Sequence, residues 1–407
     1  MTLRRADVVV VGAGPAGAAT AILLAEHGVD VAVLDRAALP RPKICGEYLS
    51  PEAARCLDRL GVLKTLDAAG AAALVGMRIT APDGTTLVAR YRALQTWRPY
   101  RQHAMGVARE TLDGALIERV RGLPVDVREE TRVTDVLLDG DGVSGVRAQD
   151  RAQAPVEIRA RVVVAADGRH SVVAERLGCR QPHPLRRLAL VTYVRGVPDC
   201  RDLGEIFVDP PDYAILNPLA SDRVNLSLVV PLEHARPWSG RLEDFLVARA
   251  RQLPHLARRL VGAERVAPVR ALGPLAYRAR PPRVGGVVLV GDAAGFYDPF
   301  TGEGVFSALR GAELAVETIV GALRAGDVSA RALAGYERAR RAAFAGKDRV
   351  TRALQAVIRR RRLANWTCRA LARRPAALDG LLGVLGDYVP PRALPALLGA
   401  PTSRGPR

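Results

Sequence analysis

The sequence predicts an α/β protein in which a parallel-sheet domain is assembled from separated pieces of chain. An antiparallel-sheet domain is inserted between those pieces, and a helical segment closes the C-terminal end. Three observations predict this. Runs of β-branched residues at Val8–Val11, Val162–Val164 and Val287–Val290 each lead into glycines and an acid, as strands covered on both faces do. Two further stretches, Leu74–Arg90 with its Pro82-Asp83-Gly84 turn and Arg187–Pro231, carry strand signals, including the alternating Arg223–Val230. From Gly304 onward the chain is Ala- and Arg-rich and reads as helix.

Composition narrows the function classes. A chain of 407 residues supports two or three domains with cores of their own. With 49% apolar and 25% charged residues it is neither disordered, collagen-like nor a disulfide miniprotein. The 5 cysteines are odd in number, widely spaced and without C-x-x-C. No disulfide framework or metal cluster is therefore expected, and a reducing cytoplasmic compartment fits best. The formal charge of +18 comes from arginines spread over the whole length, with only Lys43, Lys64 and Lys347 as lysines and 4% aromatics. That is compositional bias without the clustered footprint of a nucleic-acid binder.

The N-terminus could be mistaken for a signal peptide or membrane helix, since Arg4 and Arg5 precede the nearly charge-free run Val8–Ala25. Glycines decide against it. Asp7–Val11 reads as a strand, Gly12-Ala-Gly14-Pro-Ala16-Gly17 as a turn, Ala18–His27 as a helix, and Val29–Leu34 as a second strand ending in Asp35 and Arg36. Gly12 permits the tight turn, Gly14 lets a pyrophosphate approach the backbone, and Gly17 lets helix and strand pack closely. Asp35, 18 residues beyond Gly17, is placed to accept hydrogen bonds from a ribose diol. The unit is a Rossmann-type dinucleotide site that suits NAD and FAD equally.

Two later strands separate these cofactors. Arg161–Ala166 runs into Asp167-Gly168-Arg169-His170-Ser171, where His170 reads as a cap rather than a base. Gly286–Val290 runs into Gly291-Asp292-Ala-Ala-Gly295 and the helix Gly304–Leu323. In this order the three motifs resemble the FAD-dependent oxidoreductases that include aromatic hydroxylases, flavin halogenases and geranylgeranyl reductases. The resemblance covers about residues 5–325. It implies FAD as cofactor, with Asp292 on the ribityl chain and the following helix pointing its N-terminus at the anionic edge of the reduced flavin. Gly302, Glu303 and Gly304 would approach the flavin there. Val107–Leu116 resembles the family's Arg-x-x-x-Asp helix start, which puts Arg109 beside the cofactor, although a solvent-exposed arginine is the plain alternative.

Two segments favour the reductase branch. Arg41-Pro-Lys43-Ile-Cys45-Gly46-Glu47 is similar to the Lys-x-Cys-Gly segment of geranylgeranyl reductases, in which the cysteine sits near the isoalloxazine. Asp298-Pro-Phe-Thr-Gly302-Glu303-Gly304-Val305 is similar to that branch's loop. The halogenases' Trp-x-Trp-x-x-Pro is missing. A departure stands at Tyr213-Ala-Ile215-Leu-Asn217-Pro218, where the branch carries Tyr-x-Trp-x-Phe-Pro. Tyr213, Asn217 and Tyr297 could orient a polar head group of substrate, against the plainer reading as packing and turn residues. A lone thiol such as Cys45 is ordinarily an inert small hydrophobe. Its place between Lys43 and Glu47 raises the alternative of a catalytic proton relay.

The implied organisation is an FAD-binding domain of 1–73, 107–185 and 283–345, a substrate domain of 74–106 and 186–282, and a helical segment 346–407. Residues 241–261 read as one amphipathic helix. Arg349–Arg374 carries nine arginines and no acid; it is either a helix packed by one apolar stripe or an interfacial helix on anionic lipid, which would place the protein peripherally on the inner membrane face. The expected activity is reduction of C=C bonds in a hydrophobic isoprenoid or polyketide-type substrate. Monooxygenation or halogenation of a polyketide or phenol is the alternative. No second fingerprint marks a nicotinamide site, so NADPH, NADH and ferredoxin stay open as electron donors, as does the oligomeric state.

Overall fold

A computed structural model describes residues 2–140 and 142–399. Positions 400–407 of the expected C-terminal segment lie outside the described residues. Its first large sheet has seven strands. Val125–Arg128, Val31–Leu34, Thr2–Val11 and Pro155–Ala165 lie side by side and parallel. Val287–Leu289 pairs parallel with the C-terminal half of Pro155–Ala165, and the hairpin Arg132–Asp139 and Gly142–Gln149 pairs antiparallel with its N-terminal half.

Strand periodicity explains why these valine runs are apolar on both faces. Val8, Val10, Val162 and Val164 pack in one cluster with the helices Pro15–Glu26, Arg109–Arg121 and Gly304–Ala325. Val9, Val11, Val163 and Ala165 pack on the other face with Val143 and Val146 of the hairpin.

The second sheet has eight strands. It joins the two strand-rich stretches through the parallel pairing of Gly76–Thr80 with Leu203–Asp209. The sheet is therefore mixed, not purely antiparallel; its remaining pairs are antiparallel, among them Arg187–Arg195 with Val224–Pro231 and Val224–Pro231 with Asp212–Pro218. Along Val224–Pro231, Leu226, Leu228 and Val230 pack toward Phe245 and Leu246 of the helix Leu242–Gln252. Asn225, Ser227 and Val229 occupy the opposite face.

Two helix expectations are corrected. The stretch 241–261 is two helices, Leu242–Gln252 and Pro254–Arg259. Pro254 lacks an N–H and pushes Leu253 out of the helical region, to φ −94° and ψ 99°. At the C-terminal end, position 346 falls inside the helix Ala330–Ile358, so no element begins there. The basic stretch is likewise not one helix. It breaks at Arg360, with Arg361–Ala372 and Pro375–Leu385 following. Ile358, Ala364, Cys368, Leu378 and Leu382 pack in a common cluster with Leu87 and Ala89 of the second sheet. Among the described residues no helix is long and apolar enough to cross a membrane.

Candidate functional site

The strand ends of the first sheet converge on a cavity of about 640 Å³ that runs beneath the second sheet. Gly12 sits at φ +97°, and a Cβ there would lie 2.6 Å from the Ala166 carbonyl oxygen. The glycine turn can therefore pass directly under the Asp167 turn only without a side chain. Gly12, Gly14, Ala16, Asp35, Arg36, Asp167, Gly168 and Asp292 all line this cavity. Gly17 lies behind it, in the turn's contact with Gly12, and Gly291 packs on Ala16.

Asp35 is bound differently from the expectation. Its Oδ2 accepts from Ala13 N at 2.9 Å and Arg41 Nη2 at 3.1 Å, and its Oδ1 from Ala37 N at 3.0 Å and Arg41 Nε at 3.2 Å. Burial alone would raise its pKa, but the Arg41 guanidinium and the two backbone N–H groups reverse this and hold the carboxyl below the usual range. All four acceptor positions of the carboxylate are taken. A ribose diol at Asp35 would compete with Arg41 for this carboxylate.

The other two acids are less committed. Asp167 Oδ2 accepts from Val172 N at 2.8 Å, while its buried Oδ1 has no partner among the described residues. Burial raises its pKa. Asp292 lines the cavity, and its carboxylate receives no hydrogen bond among the described residues. An orphaned carboxylate oxygen and a second open carboxylate, in a cleft lined by Gly14, are what a hydroxyl-bearing dinucleotide requires. The N-terminal residues Gly304, Val305 and Ala308 of the helix Gly304–Ala325 face the same space, with Gly302 and Glu303 before them. The residues present fit FAD. His170 is not the helix cap; Ser171 is, accepting from Ala174 N at 3.0 Å.

The Cys45–Glu47 loop crosses the middle of the cavity and is held from the second sheet. Asn217 and Asn225 are directly paired across two strands. Asn225 Nδ2 donates to the Cys45 carbonyl at 3.0 Å, and Asn217 Nδ2 to the Gly46 carbonyl at 2.7 Å. Glu47, at φ +55°, is buried. Its carboxylate accepts from Arg109 N at 2.9 Å, Tyr193 OH at 2.7 Å and Asn225 Nδ2 at 3.0 Å. Cys45 Sγ accepts from Glu47 N at 3.3 Å, and the half-buried thiol is free of any disulfide.

Arg109 is buried rather than exposed, and its guanidinium is engaged bidentately by Asp113 at 3.0 and 2.8 Å. Lys43, whose role the sequence left open, spans the cleft. Its Nζ lies 3.9 and 3.6 Å from where Cβ atoms on Gly14 and Gly168 would stand. Burial, with the neighbouring Arg109, pushes its ammonium below the ordinary lysine range.

The three residues expected to face substrate separate. Asn217 lines the cavity, but Tyr213 and Tyr297 are not among its lining residues. Tyr213 is fully buried behind the wall, donating to Asp298 Oδ1 at 2.5 Å with its ring edge-on to Phe300. Tyr297 packs edge-on against His183. Glu47, Tyr193 and Asn225 are the site residues that sequence reasoning passed over. Their available signal was a buried-period Asn and Ser, at 225 and 227, in an otherwise aliphatic strand.

Beyond the loop the cavity becomes an apolar chamber. Ile206, Ile215 and Val229 of the second sheet face Leu354, Ile358 and Leu371 of the C-terminal helices across it.

The family model described as FAD binding domain matches residues 5–350. A digeranylgeranylglycerophospholipid reductase of Methanosphaerula palustris is 27% identical over 353 residues, covering 84% of this chain and 83% of its own length. Conditioned medium factor receptor 1 of Dictyostelium discoideum is 29% identical over 354 residues, 81% of this chain. The flavin-dependent halogenase CmlS has a crystal structure that is 28% identical, with a TM-score of 0.75 over 85% of this chain. The chain spans 66% of the length of the receptor and 63% of that halogenase. The chain belongs to the FAD binding domain family, and FAD is its cofactor.

Proposed function

We propose that this protein reduces a carbon–carbon double bond in a hydrophobic, isoprenoid-like substrate. The observation that carries the reading is the continuity of one cavity, from the cofactor-binding strand ends, past the Cys45–Glu47 loop, into an aliphatic chamber. FAD, when bound and reduced, supplies the hydride. The chain's own residues do the rest. The paired Asn217 and Asn225 hold the Gly46 and Cys45 carbonyls in a loop that lines the cavity, which supports Cys45 as the proton donor. From there its S–H can deliver the proton to the alkene carbon that does not receive hydride. Mostly apolar walls disfavour water and pack against an extended hydrocarbon.

The likeness to a halogenase at 28% identity favours a second reading, oxygen-dependent chemistry on a phenol or polyketide. One experiment separates the two. The photoreduced holoprotein is given a polyprenyl lipid anaerobically, or a phenol with chloride under labelled oxygen, and the products are weighed by mass spectrometry. A gain of two hydrogens supports the reductase; a labelled oxygen or a halogen in the product overturns it.

The outer face of the C-terminal helices supports peripheral contact with an anionic membrane, from which such a substrate would be drawn. Trp366 is 68% exposed, and Arg362 and Arg373 stand one and two turns from it on the same side of the helix Arg361–Ala372 and its C-terminal flank. The inner face of that helix, through Ala364, Cys368 and Leu371, is a wall of the chamber.

A further inference from the structure

In the otherwise mostly apolar chamber two phenols meet. Tyr48 follows Glu47 on the short strand Tyr48–Leu49, and Tyr91 follows the strand Thr86–Arg90 of the second sheet. Their side chains are buried at 9% and 3% exposure, yet both line the cavity, and their hydroxyls hydrogen-bond each other. The neighbours sharing their apolar cluster are Met77, Leu87, Phe300 and Leu382. The Tyr48 ring lies against Gly302, where a Cβ would come within 2.5 Å of its Cδ1. The pair therefore stands beside the loop that leads to the helix N-terminus at the cofactor cleft.

One of the two phenolic O–H groups is left over. Each phenol has one O–H to donate, and the mutual bond consumes only one of the two. No other acceptor for either hydroxyl is found among the described residues; the nearby Tyr388 hydroxyl is spent on the Arg92 carbonyl at 3.1 Å. Burial raises both phenol pKa values, so both stay protonated at neutral pH. A donor left unpaired among apolar side chains costs free energy unless another group accepts from it. A hydrocarbon cannot. An oxygen on an otherwise apolar molecule can.

We propose that the Tyr48–Tyr91 pair is a specificity-determining site that donates one hydrogen bond to a carbonyl or hydroxyl oxygen of an otherwise apolar substrate. The inference rests on the chamber being the substrate site. It adds that the substrate carries an oxygen positioned to reach these phenols, and that the pair sets how deep that oxygen lies and hence which part of the molecule faces Cys45.

The test uses the FAD-loaded protein and two micelle-dispersed probes, pentadecanone and pentadecane, with binding followed by perturbation of the flavin absorbance. The wild type should favour the ketone about three- to tenfold, as one hydrogen bond predicts. The double variant Tyr48→Phe/Tyr91→Phe should bind both probes alike, with hydrocarbon affinity and flavin content unchanged. A ketone preference that survives the double substitution overturns the proposal. A second readout needs no variant: an isotope-labelled ketone bound to wild type should show a lowered carbonyl stretching frequency, and an unshifted band refutes the hydrogen bond. Binding of both probes without preference sinks the phenol site alone, whereas binding of neither sinks the chamber reading as well.

Discussion

Replacing Gly14 by valine should separate cofactor binding from folding. Gly14 caps the helix Pro15–Glu26 with φ −72° and ψ −177°, an extended conformation that valine adopts readily. A Cβ there meets only Lys43 Nζ, at 3.9 Å, the tip of a flexible side chain. The apoprotein should therefore lose no more than about 1 kcal/mol. The added methyls nevertheless project into the cleft through which a diphosphate must reach the backbone N–H groups. Gly17 provides the contrast: its Cβ would stand 1.8 Å from the Gly12 carbonyl oxygen, so Gly17→Val should fail to fold.

For Gly14→Val the size of the effect follows from linkage. FAD supplied at about 100 times its Kd stabilises the wild type by about 2.7 kcal/mol, which the variant forfeits. At roughly 2 °C per kcal/mol for a large chain, its melting temperature with FAD present should lie about 5 °C below wild type, while the two apoproteins melt nearly together. The assays are the flavin-to-protein ratio after gel filtration and thermal unfolding with and without added FAD. Wild-type flavin occupancy in Gly14→Val, or an apoprotein that melts as far down as the holoprotein, would refute the reasoning.

Cys45→Ser should retain flavin and lose no more than about 1–2 kcal/mol of stability, while single-turnover product formation from photoreduced protein drops about 10²- to 10⁴-fold if Sγ–H carries the proton; an unchanged rate removes Cys45 from the mechanism. Asp387 is paired with Lys347 and accepts from Ser50 Oγ at 2.8 Å; burial nevertheless pushes its pKa up to about 6. The folded state thus holds this proton more tightly than the unfolded chain, so stability should fall as pH rises from about 4 to about 6, by an amount on the order of 3 kcal/mol. Urea titrations at stepped pH should show that slope become shallower in Asp387→Asn, and an unchanged slope there would assign it to the other carboxyls whose pKa burial raises, such as Asp167. Flotation with anionic vesicles should weaken steeply between about 0.1 and 1 M salt, as the Debye length shrinks from about 10 to 3 Å. Flotation that ignores salt, or none at all, leaves the C-terminal helices as chamber wall alone.

What the sequence determined by itself is what short-range physics encodes. The turn from Gly12 to Gly17, the acid at Asp35 and the two later strand-end acids were legible because each depends on spacing within one strand–turn–helix unit. The valine runs were legible because burial on both faces leaves no polar period. The helix break at Pro254 could have been read the same way, since proline acts on the residue before it.

Tertiary structure decided which groups meet. The Glu47 carboxylate and its Asn225 donor are 178 residues apart, and nothing local marks the pair beyond two polar residues in an aliphatic strand. The spacing that marks Asp35 as a strand-end acid says nothing of Arg41 folding back over it. Tyr213 looked available to a substrate because alternation assigns a side chain to a face but not to what covers that face. There Asp298 takes its hydroxyl. The apolar stripe of the basic C-terminal stretch posed the same ambiguity, packed helix or lipid surface. Its inner residues closed over the second sheet and became the chamber wall, because periodicity fixes which face is apolar and only the packed chain supplies the surface that covers it.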